Sequence, residues 1–257
     1  MVNPRSLERV AEAAEAGPRD TVLEIGAGLG FLTERLASRS GRVVAVERDK
    51  RFCEYLRGRF AASPNVEIVE ADILELPFGR FDPGEGIKFA GNIPYQISSP
   101  LLEKLEHHRA LVRDAVLTVQ KDFALRLGAR EGSRDRSALA AWFEMNARIE
   151  VLAHFPRTDF YPAPEVRSSL VRVRFRPSPL VPAECREWVR RAIGAGFGQK
   201  RKNILNALAG SALEGSKAEF AALLRDAAIA AERRAEDLSA EEWIRLGRLL
   251  AARNPAC

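Results

Sequence analysis

The chain is poor in the residues that define several whole classes of protein. Its 257 residues hold three cysteines, Cys53, Cys185 and Cys257. None belongs to a Cys-x-x-Cys pair and none has a histidine at ligand spacing. A disulfide framework and a metal site are therefore not expected, and a reducing, cytoplasmic setting is. His107, His108 and His154 are the only histidines. No constellation of acids or nucleophiles surrounds them, so they are expected to be structural or on the surface. No apolar run is long enough to span a membrane. The opening Met1-Val2-Asn3-Pro4-Arg5 lacks the apolar stretch of a signal peptide. Internal repeats and low-complexity tracts are also missing.

What is present suits a globular chain with one large domain and a smaller one. Hydrophobic residues make up 46% of the sequence, enough for a core, and the formal net charge is +5. That charge is compatible with a polyanionic partner.

The pivotal stretch is Gly91-Asn92-Ile93-Pro94-Tyr95-Gln96. It follows the apolar run Ile87 to Ala90 and precedes a helix-like segment from Pro100 to His107, which places Asn92 at the carboxyl end of a strand. Ligands collect at that edge of open α/β sheets. Pro94 fixes the backbone and has no N–H to donate. An Asn oxygen, a neighbouring backbone carbonyl and the Tyr95 ring together suit the grip of a planar exocyclic amine, because the oxygens accept its protons and the ring stacks on the heterocycle.

Upstream, residues 4–16 read as a helix with Leu7, Val10, Ala11 and Ala14 on one face, ended by Gly17-Pro18. Thr21 to Ile25 is a buried-strand pattern. Gly26-Ala27-Gly28-Leu29-Gly30 follows, then a helix from Phe31. Strand, glycine loop and helix form a ligand-binding crossover unit, although the spacing is G-x-G-x-G, not the dinucleotide fingerprint G-x-G-x-x-G. A second strand, Arg42 to Val46, ends in Glu47, placed to accept from ribose hydroxyls. A third, Val66 to Glu70, leads to Asp72, placed to accept from an adenine amino group. No phosphate-gripping lysine follows the glycines, so the chain is not a P-loop protein. An adenosine without a phosphate requirement is implied, which fits S-adenosylmethionine.

Further strands are expected at 115–119, 149–154 and 169–175, and helices at 101–108, 121–127 and 137–146. The polar, basic loop 128–136 reads equally as a functional loop or a solvated one. Phe160-Tyr161-Pro162-Ala163-Pro164 is a stiff aromatic link. Arg176-Pro177-Ser178-Pro179 marks a domain boundary, with helices expected at about 184–194, 200–208, 217–231 and 239–252. Lys200, Arg201 and Lys202 crowd the start of one of these. Positive charge is unfavourable at a helix N-terminus, so a polyanion contact is expected there.

These residues resemble the ribosomal RNA adenine dimethylase family, nearly end to end. The likeness runs through LEIGAGLGFLT (23–33), VVAVERD (43–49), EAD (70–72), GNIPYQISSP (91–100), VQKDFALRL (119–127), SRDRSALA (133–140), FYPAPEVRSSLVRV (160–173) and FGQKRKNIL (197–205). The resemblance implies an α/β fold of the Rossmann-like class I methyltransferase type: a seven-stranded, mostly parallel sheet with one reversed strand, plus a small helical C-terminal domain. It implies a catalytic domain over 1–179 and an RNA-binding domain over 180–257. It assigns the cofactor S-adenosylmethionine to Gly26, Gly28, Gly30, Glu47, Asp72 and Asn92, and the target amine to Asn92, Ile93, Pro94 and Tyr95. Phe160 matches the aromatic that packs on the flipped base. FGQKRKNIL and FYPAPEVRSSL look like the small-subunit branch, whose substrate is two adjacent adenines in the terminal hairpin of small-subunit rRNA within a partly assembled subunit. A monomer is expected.

Two positions depart from the family pattern. Met1 falls about where the Leu of a Gln-x-Phe-Leu segment would stand, and Arg167 occupies a position usually held by Asp. Two alternatives remain open at this stage. One is the large-subunit branch that confers macrolide resistance; the other is a non-catalytic ribosome-assembly factor that keeps the fold. Methylases of DNA adenine or protein glutamine show Asn/Asp-Pro-Pro-Tyr, a pattern that Ile93 breaks.

Overall fold

A computed structural model describes residues 1–199 and 201–253. Lys200 and Cys257 lie outside the described residues. The chain divides into two compact units, one of residues 1–124 with 148–175 and the other of 125–147 with the described residues from 176 onward.

The first unit opens with α1 (Pro4–Ala13). Asn3 caps it, accepting from the Arg5 and Ser6 amides, and Pro4 takes the first turn, where a missing N–H costs nothing. Leu7, Val10 and Ala11 bury one face, as their spacing predicts. The helix stops three residues short of the expected end, and Glu15 then turns with a φ of 47°.

β1 (Thr21–Ile25) is buried at every position. The glycine loop leads into α2 (Phe31–Ala37), followed by β2 (Arg42–Glu47). Then comes α3 (Lys50–Arg59), a helix not among those expected, which buries Cys53 and Leu56. Its start is set by Asp49, whose side chain accepts from the Arg51 amide. β3 (Val66–Glu70), β4 (Ile87–Asn92), α4 (Ser98–His107) and β5 (Val112–Gln120) continue the unit, and β6 (Ala147–Phe155) and β7 (Ser168–Phe175) complete the sheet.

The seven strands lie in the order β3-β2-β1-β4-β5-β7-β6. β1 pairs in parallel with β2 and β4, β2 with β3, and β4 with β5, whereas β7 runs antiparallel to β5. A mostly parallel sheet with a reversed strand is therefore what the chain builds. The strand order reverses direction at β1, since β2 and β3 lie on one side of it and β4 on the other. That is the switch point where open α/β sheets hold ligands.

The second unit is helical among its described residues. α5 (Lys121–Leu127) leads into it. α6 (Ala138–Asn146) belongs to it rather than to the sheet-bearing unit, which corrects the single boundary expected near residue 179. The reason is its apolar girth: Ala140, Ala141, Trp142, Phe143 and Met145 are all buried. Such a helix needs cover on several sides, and it packs against α7 (Arg186–Phe197) and α10 (Ala240–Arg253). α8 (Ile204–Ala209) and α9 (Lys217–Asp226) are shorter than expected. After α9, Ala228 turns with a φ of 54°. Ser239 and Glu242 exchange the two hydrogen bonds of a capping box at the start of α10, as their spacing predicts.

The basic loop before α6 contains a structural residue. The Arg136 side chain is fully buried; it donates to the Glu236 and Leu238 carbonyls, at 3.1 and 2.5 Å, and meets Glu144 Oε2 at 2.7 Å. Removing a buried charge partner and two donors at once is costly. Arg136→Ala is expected to lower the stability of the protein by about 3 kcal/mol, read as a lower urea midpoint. An unchanged midpoint would show that the loop is only a solvated surface.

Candidate active site

β1 and β4 run side by side with Ile25 opposite Gly91. The glycine loop therefore leaves β1 next to the point where β4 delivers Asn92. On its other side the loop is tied to β2: the Gly26 and Ala27 amides donate to the Val46 carbonyl, at 2.9 and 3.3 Å. Gly26, Gly28 and Gly30 all take positive φ, at 72°, 54° and 77°. Their surroundings differ. A Cβ at Gly28 would meet nothing within 4 Å, so that backbone faces open space and allows close approach of a ligand. A Cβ at Gly30 would lie 2.7 Å from Phe60 and 2.8 Å from Leu56. Gly30 thus lets α2 start hard against α3.

A cavity opens over this loop. Its walls include Glu24, Gly26, Gly28 and Asn92 from the strand ends, with Val2 and Tyr161 on further segments. Of the sequence-derived set, Gly26, Gly28 and Asn92 line it. Glu47 and Asp72 stand at the ends of the next two strands, both half-buried. The Glu47 carboxylate accepts from the Gly28 amide at 2.9 Å and from the Arg48 and Asp49 amides at 2.7 and 2.9 Å. Asp72 follows directly from the β2–β3 pairing, because the Ala71 amide donates to the Glu47 carbonyl. One Asp72 oxygen accepts from the Leu74 amide, and the other lies 3.4 Å from Arg48 Nη1.

On the β4 side, Ile93 is buried and donates its amide to the Thr118 carbonyl. The Pro94 carbonyl accepts from the Ile97 amide at 3.1 Å, closing a 3-10 turn over Tyr95–Ile97. The Tyr95 hydroxyl is held 3.0 Å from Ser168 Oγ on β7. Phe160 is not on the cavity wall. It is 7% exposed and belongs to the core cluster with Leu7, Val10 and Leu170. Its neighbour Tyr161, 84% exposed, lines the cavity.

Arg201 and Lys202 are exposed. They precede α8 rather than opening it: Asn203 is the cap, accepting from the Asn206 amide at 2.9 Å. Their charges therefore lie outside the first turn, where the unfavourable effect of the helix dipole is concentrated. Arg167 is exposed, consistent with a surface departure from the family pattern. His154 sits 2.8 Å from Ser169 Oγ and His108 is 3.0 Å from the Lys104 carbonyl, so each has a local structural partner.

Glu24 is the residue that the sequence reading missed. It is 1% exposed, on the cavity wall, and its Oε2 has no hydrogen-bond partner. Burial pushes its pKa up to about 8; the nearby Thr33 hydroxyl opposes the rise and the Glu47 charge adds to it. A buried acid with a free oxygen facing a cavity suits a cationic or hydrogen-donating ligand. The signal for it was a lone charge inside a five-residue apolar strand directly before the glycines. Thr118, fully buried with an unpartnered hydroxyl, lines the same wall. A ligand with an adenosine and an ammonium-bearing tail fits the donors and acceptors present: an acid inside, two acids at neighbouring strand ends, and open glycine backbone between them.

The raised pKa has a stability consequence. Between about pH 4.5 and pH 8 the folded chain keeps the Glu24 proton that the unfolded chain has lost. Stability contributed by this group is therefore complete below pH 4.5, declines as pH rises to about 8, and then levels off. Glu24→Gln removes the titration. The variant is expected to gain roughly 3–5 kcal/mol on the wild type between pH 4.5 and pH 8, measured by denaturant unfolding without ligand. Parallel pH profiles for the two proteins would show that Glu24 is not held neutral.

A profile of the family described as ribosomal RNA adenine dimethylase matches residues 1–252. A ribosomal RNA small subunit methyltransferase A from Moorella thermoacetica is 38% identical over 259 residues, covering 97% of this chain and 89% of the relative. One of the same name from a Synechococcus strain is 37% identical over 263 residues, covering 99% and 91%. Among solved structures, a dimethyladenosine transferase from Plasmodium falciparum superposes with a TM-score of 0.81 at 27% identity, covering 96% of this chain and 95% of that one. The 23S rRNA methyltransferase ErmE superposes with a TM-score of 0.72 at 30% identity, covering 96% and 97%. Sheet order, cavity and full-length likeness agree, and the chain belongs to the ribosomal RNA adenine dimethylase family of S-adenosylmethionine-dependent methyltransferases.

Proposed function

We propose that the protein dimethylates N6 of two adjacent adenines in the 3′-terminal hairpin of small-subunit rRNA. It would act as a monomer in the cytoplasm, on a partly assembled small subunit, during ribosome biogenesis. The observation that carries this reading is the position of Asn92, at the end of β4 on the wall of the cavity that the glycine loop borders. The small-subunit assignment is supported by the names of the curated relatives.

In this reading Gly26 and Gly28 border the cofactor, with Gly30 shaping the loop. Glu47 holds the ribose, Asp72 the adenine amine, and Glu24 the ammonium end. The bound cofactor supplies an electrophilic methyl group on a sulfonium. An adenine amine is a poor nucleophile because its lone pair is delocalised into the ring. For the first transfer, the Asn92 side-chain oxygen and a backbone carbonyl would accept hydrogen bonds from both N–H groups and favour a pyramidal nitrogen. Each transfer releases one N–H proton to solvent, so the second begins with a single N–H left to hold. Because the Pro94 carbonyl already serves Ile97, the Ile93 carbonyl is the better second acceptor. Tyr95 stacks on the extruded base, and Phe160 backs the segment that carries Tyr161. Orientation supplies most of the acceleration, and no general base of tuned pKa is needed. Lys200, Arg201 and Lys202 would contact phosphates and position the RNA.

Asn92→Ala is expected to slow single-turnover methyl transfer at saturating cofactor by roughly 100-fold or more. A fall of less than about tenfold would remove its amine-gripping role. Glu47→Ala and Asp72→Ala should each weaken cofactor binding by roughly 1–3 kcal/mol, and calorimetry showing neither effect would remove those assignments.

A second reading, the large-subunit branch, is favoured by the superposition on ErmE. Methyl-labelled cofactor, undermethylated small subunits and isolated large-subunit RNA separate the two. Mass spectrometry is expected to find dimethyl label on two adjacent adenines of small-subunit RNA. Label confined to large-subunit RNA would establish the other branch, and label on neither would favour a non-catalytic factor.

A further inference from the structure

We propose that Asp159 is a positioning residue that locks the N-terminal wall of the cofactor cavity to the aromatic segment beside the target amine, so that filling the cavity also sets Phe160 and Tyr161. The inference rests on the proposed assignment of this cavity to cofactor and target base.

Asp159 closes a 3-10 turn, Arg157–Asp159, immediately before Phe160 and Tyr161. It is 5% exposed, and four hydrogen bonds converge on it from the start of the chain. Its Oδ1 accepts from Asn3 Nδ2 at 2.8 Å and its Oδ2 from Ser6 Oγ at 2.5 Å. Its backbone carbonyl accepts from the Val2 amide at 2.7 Å and the Asn3 amide at 3.2 Å.

Capping α1 does not require this arrangement. Asn3 Oδ1 alone accepts from the Arg5 and Ser6 amides; the bonds to Asp159 use the other end of the Asn3 carboxamide and the backbone before it. What they fix is the path of Val2 and Asn3. Met1, Val2, Leu7 and Val10 line the cavity, and so does Tyr161. Behind Tyr161, Phe160 packs in the same core cluster as Leu7 and Val10. The wall on the cofactor side and the aromatic segment are therefore one mechanical piece, and Asp159 is its polar joint. A carboxylate is suited to that joint because it can accept from Asn3 and Ser6 at once while standing near the positive end of α1.

A joint of this kind makes coupling reciprocal: whatever orders one side orders the other. Asp159 is not on the cavity wall, so its removal acts through Val2 and Tyr161.

The test is hydrogen exchange on the full chain with and without S-adenosylmethionine, no RNA being present. In the wild type the cofactor is expected to protect both the glycine loop, 24–30, and the segment 157–163. In Asp159→Ala the glycine loop should still be protected, while protection of 157–163 should be lost. Single-turnover methyl transfer at saturating cofactor should fall by about tenfold or more. A purely structural role would lower the melting temperature and leave the cofactor-induced protection of 157–163 in place. If Asp159→Ala does not fold, Asp159→Asn, which keeps the shape and the backbone carbonyl, is read the same way and should lose part of that protection. Protection of 157–163 at the wild-type level in the folded variant would overturn the proposal. Absence of protection at the glycine loop in the wild type would instead overturn the assignment of the cavity.

Discussion

The close pairing of β1 with β4 is the constraint on which the site depends. Gly91 faces Ile25 across that pair, and a Cβ on it would lie 2.5 Å from the Ile25 carbonyl oxygen. Only a residue without a side chain lets the two strand ends meet so closely. Their closeness sets the glycine loop and Asn92 side by side; an ideal Cβ at Gly26 would stand 3.8 Å from the Asn92 carbonyl. From the other side Val46 accepts both Gly26 and Ala27. The loop is thus suspended between the ends of β2 and β4, and any ligand it holds lies against Asn92. Fold and chemistry share one steric requirement here.

Much of this was legible because it is local. Short apolar runs ending in glycine or an acid announce parallel strands, and the serial placement of Gly26 to Gly30, Glu47, Asp72 and Asn92 follows from successive strand ends. What was not legible depends on neighbours distant in sequence. Glu24 lies in a strand buried on both faces, where alternation carries no information about which side faces the cavity. Arg136 reads as one more charge in a basic loop, until two carbonyls a hundred residues away are brought to it. Asp159 gains its meaning from Asn3 and Ser6, more than 150 residues earlier. Phe160, matched to the target base by resemblance, packs into the core, while the adjacent Tyr161 is exposed and lines the cavity; an aromatic pair does not reveal which member is buried. Helix ends slipped for a related reason: Glu15 and Ala228 take positive φ, which their identities do not advertise.

The segment from Val43 to Asp49 shows how several requirements can be met by few residues. Val43 to Val46 bury the centre of β2. Glu47 then ends the strand and gathers three amides: Gly28 from the loop, and Arg48 and Asp49 from the turn ahead. Asp49 in turn caps α3. The Glu47 carboxylate therefore orders the glycine loop before any ligand arrives, and it keeps about one acceptor position for a ligand, since two carboxylate oxygens offer about four and three amides take the rest. Removing it takes away an acceptor and loosens the backbone that borders the ligand. Affinity lost on its removal is a sum of the two effects, not the strength of a contact. Asp72 accepts from one nearby backbone amide and stands apart from the loop, so its removal reports the contact more directly. Two acids that look equivalent at the ends of consecutive strands thus differ in kind, one preparing the site and the other mainly reading what enters it.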